Sequence, residues 1–277
     1  MRLSLIAALL LLWTATSLHA QQKSDDPSLP LWELGALGAA ATTPAYPGSD
    51  ERSARALILP FVIYRGEILR ADQSGIGARL LRSEHAELDL GFALSLPARS
   101  DDVPARAGMP DLGSLIEFGP RLKIDLAKPG PYGRLRLETP LRAAIELHGG
   151  LHAQGYAFEP RVVYETSDAQ RQWTLGADLG LMAGSAKLNQ FFYEVRPQYA
   201  SADRPAYHAK GGLMMTRAGL TASRKLGPDW RVFGFMRYEN YAGAANRDSP
   251  LFRQNSGLST GFGFAWTLRR SAALASQ

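Results

Sequence analysis

Between Leu115 and Leu147 the chain alternates apolar and charged residues with a period of two. Ile116, Phe118, Leu122, Ile124 and Leu126 fall on one face, and Glu117, Arg121, Lys123 and Asp125 on the other. The next run repeats the pattern, with Leu135, Leu137, Leu141, Ala143, Ile145 and Leu147 against Arg134, Arg136, Glu138, Arg142 and Glu146. Successive side chains of a strand point to opposite faces, so this spacing predicts β-structure. A half-buried soluble strand alternates too, with its polar side in water and its apolar side on a shared core. Here such strands recur down nearly the whole chain, and almost no segment has the helical period that would cover them. That favours an all-β fold, a closed antiparallel transmembrane β-barrel with apolar residues outward and charges inward.

Strands are predicted near Leu31–Thr43, Ala54–Tyr64, Glu67–Leu81, His85–Leu96, Ser114–Leu126, Tyr132–Leu147, Ala153–Glu165, Gln172–Met182, Leu188–Pro197, Ala209–Ser223, Trp230–Tyr241 and Gly257–Leu268. The sum is about twelve, an even number as single-chain outer-membrane barrels require. Leu88, Leu90, Phe92, Leu94 and Leu96 oppose Glu87, Asp89, Gly91, Ala93 and Ser95. Trp173, Leu175, Ala177, Leu179 and Leu181 oppose Gln172, Thr174, Gly176, Asp178 and Gly180. Tyr156, Phe158, Val162 and Tyr164 oppose Ala157, Glu159, Arg161 and Glu165. Trp230–Tyr241 carries aromatics on both faces, and Glu67–Leu81 is broken by glycines. Aromatics near strand ends (Trp32, Tyr64, Tyr132, Trp173, Trp230, Tyr241, Trp266) suit interfacial girdles, or plugs of a sandwich core. The last strand sets Phe262, Phe264 and Trp266 on one face, similar to the C-terminal assembly signal of outer-membrane proteins, although Thr267–Gln277 follow it.

Tight turns fall at Arg65-Gly66, Lys128–Pro131, His148–Gly150 and Gly227–Asp229, and longer connections at Thr43–Ser53, Pro97–Leu112, Gln198–His208 and Ala242–Asn255. With both termini periplasmic, strand parity puts Pro97–Leu112 on the periplasmic side and the other three long connections outside. Barrel turns on the periplasmic side are short, so a long one there is a candidate for function.

Met1–Ala20 reads as a secretory signal peptide, with Arg2 as its positive region, Leu3–Trp13 as its apolar core and a cleavage site after Ala20. Removing Arg2 leaves the mature chain at +4 (5 − 1). Gln21–Pro30 then reads as a periplasmic lead-in, 31–268 as the barrel and 269–277 as a tail. A hydrophobic content of 45% is too low for a helical membrane protein, but only every second residue of a barrel strand meets lipid. There is no cysteine, hence no disulfide framework. The net charge of +5 comes from basic residues interleaved with acids, without a basic stripe or a reading helix, which argues against nucleic acid as a partner.

The residues Thr43–Asp50, Leu59–Gly66, Arg106–Leu112 running into Glu117–Pro120, Gly227–Gly234, Asp248–Leu251 and the last strand, in that order, resemble the MipA/OmpV family, the MltA-interacting proteins of the Gram-negative outer membrane. The resemblance covers roughly Leu31–Leu268. It implies an outer-membrane barrel that scaffolds peptidoglycan machinery, linking a lytic transglycosylase to a peptidoglycan synthase. It brings no catalytic residues, and other members look porin-like, adhesin-like or stress-linked. Outer-membrane lipid and the outer-membrane assembly machinery are the remaining partners it implies.

Gly257–Gly261 fits G-x-S-x-G, but a hydrolase needs a strand-to-helix turn there, and an amphipathic strand follows Ser259 instead. His148 and His152 have helical metal-ligand spacing, yet Gly149-Gly150 between them indicates a hairpin. Asp101-Asp102 reads as a solvated loop pair, and Gly75-Ile76-Gly77 lacks the third glycine and the helix of a dinucleotide site. The inward charges matter more. Glu117, Arg121, Lys123, Arg134, Arg136, Glu138, Arg142, Glu146, Glu159 and Arg161 would share a confined lumen, where unpaired charges are expensive and a network is expected. Such a network is either structural filling or a charged pore. The reading is of a non-enzymatic scaffold without cofactor. Its contact loop is Pro97–Leu112, with Arg99, Arg106, Met109, Pro110 and Asp111 as contact candidates. The alternative is a porin-like channel for small polar solutes.

Overall fold

The computed structural model describes residues 29–66, 69–72, 75–95 and 97–275. The expected signal peptide Met1–Ala20, most of the expected lead-in and Leu96 lie outside these residues. The strands are β1 (Trp32–Pro44), β2 (Arg52–Arg65), β3 (Leu69–Asp72), β4 (Gly75–Arg82), β5 (Ala86–Ser95), β6 (Leu115–Ala127), β7 (Arg134–Glu146), β8 (His152–Phe158), β9 (Arg161–Ser167), β10 (Trp173–Gly184), β11 (Gly212–Lys225), β12 (Trp230–Asn240) and β13 (Ser256–Arg270). Neighbours in sequence pair antiparallel, β10 pairs with β11, and β13 returns to β1 from Glu33↔Arg270 to Thr42↔Thr260. The sheet therefore closes on itself.

β8 and β9 are one stave. Leu141↔Phe158 and Glu138↔Arg161 keep a single register along β7, and the interruption falls at Glu159-Pro160, where proline has no N–H to give the ladder. The closed sheet thus has twelve antiparallel staves. They are not the twelve expected from the sequence. Glu67–Leu81 is a hairpin of two short strands, β3 and β4, which pair Asp72 with Gly75. Leu188–Pro197 is no strand: Ala186–Tyr193 is an α-helix, α1. The Ser185 side chain caps α1 by accepting from the Leu188 N–H, and Leu188, Asn189, Phe192 and Tyr193 form its buried face at helical spacing.

The two differences offset in number but not in sidedness. The extra strand before Pro97 moves that connection to the end opposite the termini. All the long connections, 45–51, 96–114, 185–211 and 241–255, now share that end, and the turns 83–85, 128–133, 168–172 and 226–229 share the terminal end. This corrects the periplasmic placement expected for Pro97–Leu112, and it removes the anomaly of a long loop among short turns.

The face assignment follows burial. Ile58 is 78% exposed, Val62 57% and Phe262 71%, whereas Asp89, Glu117, Lys123, Arg136, Glu138, Glu159 and Glu165 are all buried. Apolar side chains therefore clothe the outside, where Trp230 stacks on Trp266 at 5.3 Å. The Arg224 guanidinium lies over the Trp173 ring at 4.8 Å. Both contacts sit near the terminal end, at the level of an interfacial girdle.

Candidate functional site

The inward face of β5 to β12 carries a ladder of ion-paired groups. Lys123 reaches Asp89 at 2.7 Å and Glu87 at 3.1 Å, and Arg121 grips Asp89 with two nitrogens, at 2.9 and 2.7 Å. Arg134 pairs with Asp125 at 2.7 Å. Arg136 lies 2.5 Å from Glu165 and 3.8 Å from Glu138, and Glu138 also holds Arg161 at 2.7 Å. Arg142 joins Glu117, at 3.0 Å, to Glu159. Glu159 in turn pairs with Arg217, reaching past β10. Cross-strand register places these residues. Glu87↔Lys123 and Lys123↔Glu138 are direct neighbours, and opposite charges so placed attract. Glu146 is outside the ladder: its oxygens accept from the Gly113 N–H and the Gln154 amide.

The sequence missed Arg217, Arg237 and Glu239. Arg237 pairs with Glu239 at 2.9 Å, and the Tyr241 hydroxyl donates to Glu239. On their strands the inward charges are separated by small or aromatic residues (Gly219, Thr221, Ser223; Phe233, Phe235), so alternation there does not read as charged against apolar.

The other arc of the lumen wall, from β12 through β13 and β1 to β2, is apolar at mid-height, between Arg237 and Glu239 toward the loops and Glu33 and Arg65 at the terminal end. Leu37, Phe61 and Phe233 form a buried cluster with Ala39, Ile63 and Ala265 around it. A methyl on Gly263 would meet the Phe233 ring at 2.5 Å, and one on Gly35 the Phe61 ring at 2.5 Å, so these rings pack directly against glycine backbone.

At the far end the long loops make a cap. Tyr46, Val103, Met109, Leu112, Leu188, Phe192, Tyr193 and Leu251 form one core with the inward residues Leu115, Ala144, Ala157 and Met215 at the strand ends. Because β1, β5, β10 and β12 send these loops from around the ring, their common core sits over the mouth. Arg106 is its hub. It is 4% exposed, donates to the carbonyls of Phe192 (3.2 Å) and Pro110 (3.1 Å), and lies over the Tyr46 ring at 5.8 Å. The Tyr46 hydroxyl donates to the Leu251 carbonyl at 2.6 Å. Burial pushes the Tyr46 pKa up to about 12 against the opposing pull of Arg106. Burial lowers that of Arg106 to about 10, against the opposing pull of Tyr46. Arg204 donates to the carbonyls of Ala105 and Ala107, Ser249 to that of Tyr193, and the Asn246 amide to Asn189 of α1.

Of the contact candidates, Arg106 and Met109 are therefore buried in the cap, while Arg99, Pro110 and Asp111 are exposed on it, with Asp111 accepting from the Ser100 N–H at 2.7 Å. Ser259 lies within β13, opposite Arg237 and wholly buried, so Gly257–Gly261 continues as strand. His148 sits in the turn before β8 and His152 begins that strand.

At the terminal end Leu31 donates to the Ala273 carbonyl and Ala275 to that of Leu29, so the tail folds back on the segment before β1. Arg65 ties this strap to the lumen floor, donating to the Pro30 carbonyl at 2.7 Å and pairing with Glu33 at 2.5 Å.

No curated protein matches the chain. Among solved structures it is similar to an outer-membrane channel from Pseudomonas putida F1, with 11% identity over 88% of this chain and 98% of that one and a TM-score of 0.48. It is similar to the translocator domain of the autotransporter NalP from Neisseria meningitidis, with 14% identity over 88% and 90% and a TM-score of 0.48. A third likeness is outer membrane phospholipase A from Escherichia coli, with 8% identity over 94% and 97% and a TM-score of 0.33. The barrel itself rests on the strand pairing above. The family model described as MltA-interacting protein MipA matches residues 35–268, and the chain belongs to that family.

Proposed function

We propose that this chain is a non-enzymatic outer-membrane barrel that holds a lytic transglycosylase, the partner class named in its family's description, against its periplasmic rim. Outer-membrane barrels have short periplasmic turns and longer external loops, which supports periplasmic termini and an external cap. The observation that carries the reading is how the long loops use their polar groups. Arg106, Arg204 and Asn246 are engaged by loop carbonyls and amides over the mouth, so the cap holds itself closed. The exposed turns Lys128–Pro131 and Gly227–Asp229, with the terminal strap, are then the surface open to a periplasmic partner. This moves the contact from the Pro97–Leu112 loop to the opposite end.

The capped mouth and the ion-paired wall favour this anchor over a channel. A photo-crosslinker at Lys128, with mass spectrometry of its adducts in intact cells, tests it. Adducts to a murein-cleaving enzyme from Lys128, and none from Arg99, are expected. Murein-enzyme adducts from Arg99 alone would overturn the reading. A purified barrel that conducts ions steadily in planar bilayers would restore the channel.

A further inference from the structure

The cations of the charged ladder each hold a carboxylate of the wall, from Arg121 on Asp89 to Arg237 on Glu239. Lys225 and Arg231 depart from this rule. Both lie at the terminal end, Lys225 as the last residue of β11 and Arg231 as the second of β12. Lys225 shares the inward face of Arg217 and Ser223, and Arg231 that of Phe233 and Arg237. The register sets the two directly opposite each other, across the Gly227–Asp229 turn. Among the described residues neither side chain makes a hydrogen bond or an ion pair. Glu33 is a carboxylate within electrostatic reach of both. It is already committed, because Arg65 pairs with it at 2.5 Å and the Thr267 hydroxyl donates to it at 3.3 Å. Glu33 therefore neutralises Arg65, and the charges of Lys225 and Arg231 stay uncompensated within the wall.

Like charges directly opposite on neighbouring strands destabilise a sheet. A local rule broken with no gain to the fold is the pattern expected at a functional site. The next inward residues up the barrel, Ser223 and Phe233, are buried, whereas Lys225 and Arg231 are partly exposed. The two cations are thus open toward the terminal mouth.

We propose that Lys225 and Arg231 form a carboxylate-binding site in the terminal mouth, and that its occupant is an acidic peptide segment of the periplasmic partner. The occupant rests on the reading that the terminal end is periplasmic. Directly opposed residues have Cβ atoms roughly 4.5–5.5 Å apart, so one carboxylate can accept from both side chains at once. The arginine offers a planar fork to its two oxygens, and the lysine a point charge beside it. Both side chains sit inside the rim. A folded protein face stops at the Gly227–Asp229 turn, whereas an extended acidic segment passes it.

The test is titration calorimetry on the purified full chain in a zwitterionic detergent at low salt, with hexaglutamate, hexaglutamine or inorganic phosphate as the probe. Folding is checked by heat-modifiable electrophoretic mobility. Hexaglutamate should bind and hexaglutamine should not. In K225Q/R231Q the affinity for hexaglutamate should fall roughly tenfold or more, the loss expected when hydrogen bonds to a charged group are removed. The melting midpoint of that variant without peptide should not drop, because a like-charge contact has gone. R224Q removes a cation from the outward face of the same strand, where Arg224 lies over Trp173, and should bind as the parent does. Unchanged affinity in K225Q/R231Q would overturn the proposal. So would an equal loss in R224Q, which would show general charge attraction, or phosphate binding as tightly as the peptide, which would make the occupant a small oxyanion. Peptide binding without murein-enzyme adducts from Lys128 would keep this site and remove the anchor; adducts without peptide binding would do the reverse.

Discussion

The two arcs of the lumen wall close by opposite means. From β5 to β12 most inward carboxylates serve one or two cations, and Glu138 and Glu159 each hold two. From β12 through β13 and β1 to β2 the wall has glycines and alanines with phenylalanine rings laid over them. The first arc tolerates no missing member, because a removed partner leaves a buried charge uncompensated. The second tolerates no added atom, because its rings already touch the backbone.

Removing a shared carboxylate tests the charged arc and has the largest expected effect. Glu159→Gln leaves Arg142 and Arg217 buried without their common partner, and about 3–5 kcal/mol of stability should be lost. The readout is the temperature at which the barrel loses its heat-modifiable mobility; an unchanged midpoint would show that the ladder does not hold the wall. Gly263→Val tests the apolar arc. The new side chain meets the Phe233 ring and the Gly38 carbonyl, each at 2.5 Å, and a loss of about 1–3 kcal/mol is expected by the same measurement. Equal tolerance of valine at Gly227, a turn with open space around it, serves as the control.

The cap is a third kind of construction, held by single arginines on carbonyls, and its perturbations should stay local. Arg106→Ala removes two hydrogen bonds and a ring contact, about 1–3 kcal/mol of cap stability. Trypsin should then cut faster at Arg99 while the barrel midpoint is unmoved. The smallest effect is that of pH. Tyr46, Tyr193 and Tyr241 all have raised pKa values, chiefly by burial. A group whose folded pKa is raised contributes stability below its unfolded value, here about 10, and loses it as pH rises through the folded one. Arg106, lowered to about 10, acts in the reverse sense above that pH. Three groups outweigh one, so proteolysis of the cap should quicken as pH passes about 10, together with tyrosinate absorbance.

Alternation made β5, β6, β7, β8 with β9, and β10 legible, since charged, polar or small residues face the lumen and larger apolar ones face lipid in strict turn. β2 showed no faces because both are apolar. The β3–β4 hairpin was hidden because the residues between Asp72 and Gly75 carry no Asn-Gly or Asp-Gly signal. The helix α1 was hidden by its apolar run, although Ser185 followed by Leu188 and Phe192 carries a cap and a helical spacing. One missed turn inverted the side of every connection until the helix inverted it back. Of the candidate site, the paired charges of β5 to β9 could be read from the alternation, whereas the burial of Arg106 could not, because its partners are carbonyls from loops distant in sequence.

The most direct test of this architecture is the side of the membrane on which Arg99 and Lys128 lie. The chain has no cysteine, so R99C and K128C each carry a single thiol. A maleimide on a polymer too large for porins is applied to intact cells, then to cells with a permeabilised outer membrane. R99C should be labelled on intact cells and K128C only after permeabilisation. Labelling of K128C on intact cells, with R99C protected, would contradict it.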